Sequence, residues 1–128
     1  MFEACFLFVE AAVGAEAAAH FGNFIGDAKA DVIRSTGSEW LVWDRTDQNW
    51  HHLNTSTAPL TNITLADFDG DGFTDIARNA GGEWLVSWRG ATAWRILNKS
   101  DLKLKSQLIG DFNGDRKADV LSRQSPNP

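Results

Sequence analysis

The chain has 128 residues, 43% of them hydrophobic, with 12 basic and 17 acidic side chains and a formal net charge of -5. That length allows one modest core, so one domain at most is expected, and the apolar share argues against wholesale disorder. The negative balance argues against a nucleic-acid partner, and no stretch reaches the eighteen or so apolar residues of a membrane span.

The opening "MFEACFLFVE" is apolar but carries Glu3 and Glu10, and the first basic residue is Lys29. It therefore lacks the charged start of a signal peptide and reads as part of the fold. Cys5 is the single cysteine, so no internal disulfide can form, and its apolar surroundings suit a small buried hydrophobe.

From here on the chain repeats itself. "EWLV" occurs at Glu39–Val42 and again at Glu83–Val86, 44 residues later. Trp50 of "NWHHLN" matches Trp94 of "AWRILN" at the same shift, as do Asp27, Asp71 and Asp115, and Asp31, Asp75 and Asp119. Several independent markers at one period define a repeat protein.

Taken in order, residues 1–21 align with the end of a unit, Phe6 with Trp50 and Val9 with Leu53. They read as the last strand of a partial unit, although "EAAVGAEAAAH" could form a short helix instead. Residues 22–65 and 66–109 are two whole units. In the second, "NITLADF" is a first strand, an aspartate loop follows, and "DIARN" is the second strand. "AGG" is a hairpin turn, "EWLVSWR" the third strand and "AWRILN" the fourth. Residues 110–124 supply two strands of another partial unit, and 125–128 are a tail. Four short antiparallel strands per unit of this length mark an all-β protein with β-propeller-type blades. A ring needs about four to eight blades, so this chain cannot close one alone.

The loop between first and second strands carries the chemistry. In "DFDGDGFTD", Asp67, Asp69 and Asp71 occupy positions 1, 3 and 5, and Asp75 position 9. A hard cation such as Ca²⁺ takes six to eight oxygens, and alternate residues of a tight loop can aim carboxylates at it. Gly70 and Gly72 permit the turn, and Phe73 at position 7 would offer its backbone carbonyl. The later loop repeats this with Asp111, Asn113, Asp115 and Asp119, and Lys117 in the carbonyl position. Arg116 stands where the middle loop has a glycine, which strains the turn. The first loop, "NFIGDAKAD", has Asn23 and Ile25 where carboxylates are expected, and it is expected to bind no metal or to bind weakly. An EF-hand needs a glutamate at position 12 and a following helix. Here that position is Arg78 or Ser122, and a strand follows.

"ADFDGDGFTDIARN" and "GDFNGDRKADVLSR" resemble the calcium loops of FG-GAP or VCBS-type repeats, which build the propellers of integrin α-subunits and of many secreted bacterial proteins. The resemblance covers residues 22 to 123. It implies a structural cation in each loop, held by the side chains of Asp67, Asp69, Asp71 and Asp75 with the Phe73 carbonyl. The second site would use Asp111, Asn113, Asp115 and Asp119 with the Lys117 carbonyl.

Other features point less far. Trp40, Trp84, Trp50 and Trp94 recur with the repeat and read as core. Trp43 and Trp88 break the register and are the better candidates for exposure and a glycan-binding platform, although core or interface packing is the favoured reading for them too. His51 and His52 point to opposite faces of one strand and cannot chelate one ion together. Asn54, Asn62 and Asn98 each open an N-x-[ST] triplet. No catalytic motif stands out.

Residues 1–64 hold 3 basic and 8 acidic side chains, whereas residues 65–128 hold 9 of each. The expected function is an extracellular, calcium-stabilised propeller scaffold that is not an enzyme. Its partial units would join head to tail in a homo-oligomer or meet the remaining blades of a larger propeller.

Overall fold

Valine, isoleucine, leucine and tryptophan suit a pleated, half-buried surface, and they dominate the segments that pair here. In the computed structural model, which describes residues 20–27 and 29–122, these segments form only β-strands and short turns. The chain divides into two compact units, Met1–Thr61 and Asn62–Pro128.

The first unit is a four-stranded antiparallel sheet of β1 (His20–Gly22), β2 (Asp31–Ser35), β3 (Glu39–Asp44) and β4 (Asn49–Thr55). Its spatial order is sequential, so every connection is a local hairpin or loop. The β2–β3 turn uses Gly37 at φ 99°, and Thr36 N donates to Glu39 O at 2.9 Å. Ile33, Trp40 and Val42 are buried in its core.

The second unit repeats the same sheet with β5 (Ile63–Ala66), β6 (Asp75–Asn79), β7 (Glu83–Ser87) and β8 (Arg95–Lys99). It then adds an antiparallel ribbon of β9 (Leu108–Gly110) and β10 (Asp119–Leu121). Phe68, Ala77, Trp84, Val86 and Leu104 form a buried cluster, against which Ile109, Ala118 and Val120 pack. One face of the ribbon thus covers one face of the sheet.

The 44-residue period persists in detail. A bulge separates Trp40 from Leu41 in one sheet and Trp84 from Leu85 in the other. Trp40 Nε1 donates to Ala58 O at 2.9 Å, and Trp84 Nε1 donates to Leu102 O at 2.8 Å. Each acceptor lies 18 residues on, so each indole ties down the segment that leaves the fourth strand. Arg34 lies over the Trp50 ring at 4.8 Å, and Arg78 lies over Trp94 at 4.7 Å.

One expectation changes. The third strand of the second sheet ends at Ser87 rather than running to Arg89, because Trp88–Gly90 turns away as a 3-10 turn. Ser87 Oγ donates to Thr92 O at 2.7 Å and Trp88 N to Thr92 Oγ1 at 2.9 Å, while Arg89 and Gly90 adopt φ 56° and 69°. Trp43 and Trp88 are both packed, the favoured reading over a glycan platform. Trp43 packs edge-to-face on Trp50 at 5.5 Å, and Trp88 packs against the second unit's core. The sheets form no closed ring among the described residues. The partial strand or helix expected over residues 1–21 lies outside them apart from His20 and Phe21, which belong to β1.

The indole bond and the indole volume separate by substitution. Trp40→Phe should destabilise by about 1 kcal/mol, the worth of one hydrogen bond, and Trp40→Ala by about 3–5 kcal/mol. Urea unfolding checks this, and equal losses would contradict it.

Candidate metal centre

Aspartate accepts hydrogen bonds from backbone N–H groups a few residues on, and the middle loop is built almost wholly this way. Asp67 Oδ1 accepts from Gly70 N at 2.7 Å and Asp71 N at 3.2 Å, and its Oδ2 accepts from Gly72 N at 2.8 Å. Asp69 Oδ1 accepts from Asp71 N, and Asp71 Oδ1 accepts from Phe73 N at 2.9 Å. Gly70 and Gly72 supply the positive φ values of 81° and 87° that let the chain curl around Asp67.

The later loop copies this bond for bond. Asp111 Oδ1 accepts from Gly114 N and Asp115 N, its Oδ2 from Arg116 N, Asn113 Oδ1 from Asp115 N, and Asp115 Oδ1 from Lys117 N. Arg116 takes the glycine's role at φ 71°, the strain foreseen from its side chain. The two loops also touch. Ala118 N donates to Asp67 O at 2.7 Å, and the Lys117 side chain lies 3.1 Å from where a Cβ on Gly70 would stand.

This curling gathers acids. One carboxylate oxygen from each of Asp67, Asp69 and Asp71 lies within 4.8 Å of the others, and the same holds for Asp111, Asp115 and Asp119. Such groups of hard oxygen donors fit Ca²⁺ in ligand type. Asp75 stands outside the first group. Its Oδ2 accepts from Phe68 N and its Oδ1 from Arg89 N, both at 2.8 Å, so it closes the loop. Phe73 lies under the Arg89 guanidinium at 4.0 Å.

The first loop keeps the closing bond and two of the ties of the middle loop, but it lacks the gathered carboxylates. Asp31 Oδ2 accepts from Phe24 N at 2.7 Å and Ile25 N at 2.9 Å, while Asn23 and Asp27 cap the turn through Gly26 N and Lys29 N. Asp31 Oδ1 is buried without a hydrogen-bond partner. The equivalent oxygen of Asp75 receives the Arg89 amide, which the turn after β7 delivers. In the first sheet β3 runs straight on to Asp44, and no such amide arrives.

Charge crowding shows in the acids. Burial, with smaller contributions from Asp69 and Asp71, raises the Asp75 pKa to about 6 against the two amides that favour its ionised form. Burial likewise raises Asp69. For Asp71 burial is outweighed by the Phe73 amide, Arg89 and Asp69, and its pKa falls. The Arg116 amide leads the lowering at Asp111.

Two features escaped the sequence. Arg89 Nε pairs with Asp71 Oδ2 at 2.9 Å, a cation at the mouth of the loop 18 residues away in the chain. Only the turn after β7 brings it there. Asp44, Asp47 and His51 also gather in the β3–β4 hairpin, with His51 Nε2 2.8 Å from Asp47 Oδ2. The D-x-x-D-x-x-x-H spacing around a tight turn was the available signal. His52 instead pairs with Glu39, on the opposite face as expected.

The chain matches no family model, no curated protein and no solved structure.

Two predictions follow from the loop geometry. A carboxyl harder to ionise folded than unfolded holds extra protons in the fold, so its contribution is greatest at low pH and is lost as pH rises. For Asp75 the window runs from about pH 4 to about pH 6, with a loss on the order of 2–3 kcal/mol. In chelator, Asp75→Asn should flatten the pH dependence of the thermal midpoint across that window. An unchanged slope would count against it. Arg116→Gly should relieve the left-handed strain and raise stability by about 0.5–1 kcal/mol, read by urea unfolding. No gain would mean the turn holds arginine without strain.

Proposed function

We propose that the chain is a calcium-stabilised repeat scaffold of the β-propeller type, acting outside the cell and structural rather than catalytic. The observation that carries this reading is the convergence of Asp67, Asp69 and Asp71, and again of Asp111, Asp115 and Asp119, in two loops tied by the same hydrogen bonds. Carboxylates brought together by backbone amides repel one another less strongly once a divalent cation stands between them.

The loop joins the first two strands of its repeat, so an ion there fixes the sheet's opening hairpin. Asn113 offers a further oxygen in the later loop, and the carbonyls of Phe73 and Lys117 complete the proposed sets. Asp75 and Asp119 hold the far end of each loop through Phe68 N and Phe112 N. Millimolar extracellular Ca²⁺ would keep even weak sites filled. At a hundredfold excess over Kd, each site adds about 2.7 kcal/mol to the folded state, a large share of a small domain's stability. The four-stranded sheets would serve as blades, completed into a larger body by further sheets.

Calcium should raise the thermal midpoint of chelator-stripped protein, and Mg²⁺ at equal concentration should raise it less. Asp67→Asn together with Asp111→Asn should remove most of that rise. A midpoint indifferent to calcium, or a rise that survives both substitutions, would overturn the reading.

A further inference from the structure

Asp44, Asp47 and His51 meet at the β3–β4 hairpin, away from the aspartate loops of the second unit. His51 Nε2 stands 2.8 Å from Asp47 Oδ2 and 4.0 Å from Asp44 Oδ2. One ligand atom from each of the three residues lies within 4.8 Å of the others. Each aspartate is held by its other oxygen: Asp44 Oδ1 accepts from Thr46 N at 2.8 Å and Asp47 Oδ1 from Asn49 N at 3.1 Å. Both Oδ2 atoms are thereby left to the imidazole. Asp44 opposes Asn49 and Val42 opposes His51, so Asp44 and His51 share one face of the sheet.

A second observation comes from β2. Val32 opposes Trp43, so one step along the same ladder Asp31 comes beside Asp44, on the face that also carries His51. Asp31 is fully buried, and its Oδ1 has no hydrogen-bond partner among the described residues. Its Oδ2 accepts from Phe24 N as Asp75 Oδ2 accepts from Phe68 N, so the other oxygens of the two aspartates point in corresponding directions. In the second sheet that direction leads to Arg89 N, just past the end of β7. One period earlier the position is Arg45, next to Asp44 at the end of β3. The unpartnered oxygen is therefore aimed at the end of the sheet where the cluster stands. Burial raises the Asp31 pKa, and Asp27 and Asp44 add to the rise, so a cation beside Asp44 relieves a cost that the fold already carries.

The donor set selects the ion. An imidazole nitrogen with two carboxylates suits Zn²⁺ and its transition-metal neighbours, whereas Ca²⁺ takes oxygen. We propose that Asp44 Oδ2, Asp47 Oδ2 and His51 Nε2 form a site for a divalent transition-metal ion of the zinc class, separate from the calcium loops. The ion takes the place of the hydrogen between His51 Nε2 and Asp47 Oδ2 and clips β3 to β4. Asp31 stands behind Asp44 as an outer carboxylate. The site shares no ligand with the calcium loops and does not rest on the scaffold reading.

The test is calorimetric titration of the chelator-stripped full chain with Zn²⁺, repeated in excess Ca²⁺, with a thermal melt of every variant. The wild-type chain should take up one zinc ion in excess calcium, with a shift of the His51 ring resonances in the NMR spectrum. His51 and Asp47 are half-exposed, so their substitution leaves the core intact. His51→Ala should abolish that uptake. Asp47→Asn should weaken it by at least about tenfold, the least that loss of even an outer-shell partner costs. His52→Ala removes the imidazole that pairs with Glu39 on the other face and should change nothing. Asp67→Asn combined with Asp111→Asn should also leave zinc uptake unchanged. Absence of zinc uptake, uptake that survives His51→Ala, or uptake lost with the loop substitutions instead would overturn the proposal. Zinc held at His51 by a chain whose melt ignores calcium would uphold this site and sink the calcium reading.

Discussion

One hydrogen bond recurs in all three repeats, and the rest of each repeat is arranged around it. The aspartate that opens the second strand accepts the backbone N–H of the phenylalanine seven residues earlier: Asp31 from Phe24, Asp75 from Phe68 and Asp119 from Phe112, at 2.7 to 2.8 Å. The bond closes the loop between first and second strands and thereby fixes where the antiparallel pairing begins. Charge-assisted bonds to backbone amides are among the stronger ones available, and in the first two repeats the bond takes a carboxylate out of water. Asp31 and Asp75 are fully buried, and burial raises both pKa values. In those two repeats the loop is therefore closed by a group that is itself under electrostatic stress.

This constraint separates two roles that the aspartates share in the sequence. The closing residue is present in every repeat, including the first, where Ile25 replaces a carboxylate. It shapes the loop whether or not an ion is there. The side chains at positions 1, 3 and 5 differ: they tie successive amides, and in the middle loop they gather three carboxylate oxygens, whereas in the later loop the closing Asp119 itself joins Asp111 and Asp115. Either arrangement invites a cation. In the middle loop Arg89 supplies part of that positive charge itself, through an exposed pair worth no more than about 1 kcal/mol. A divalent ion would have to share Asp71 with it.

Much of this was legible beforehand, because the repeat recurs in the chemistry of each strand. "DIARN" is β6 to the residue, and "AGG" forms the hairpin turn, since Gly81 and Gly82 take φ values of 58° and 87°. The turn at the loop aspartates is legible in their spacing, since an Asx-tied turn is a local structure, but the spacing did not show that Asp75 closes the loop outside the gathered acids. What could not be read was non-local. Thr92 reaches back to end β7 at Ser87, and the resulting turn aims Arg89 at Asp71 and Asp75. Both contacts join residues whose relation exists only after folding. The partner of Trp43 is likewise set by folding, because only the register that opposes it to Trp50 names the ring it packs on.

The central claim is that the two well-formed loops each hold one calcium ion. Calorimetric titration of chelator-stripped protein with calcium tests it directly. The account predicts two ions per chain, falling to one in Asp67→Asn and in Asp111→Asn alike, with Asp27→Asn in the first loop leaving the count unchanged. Absence of binding heat across temperatures, or a stoichiometry that Asp67→Asn and Asp111→Asn do not alter, would contradict it.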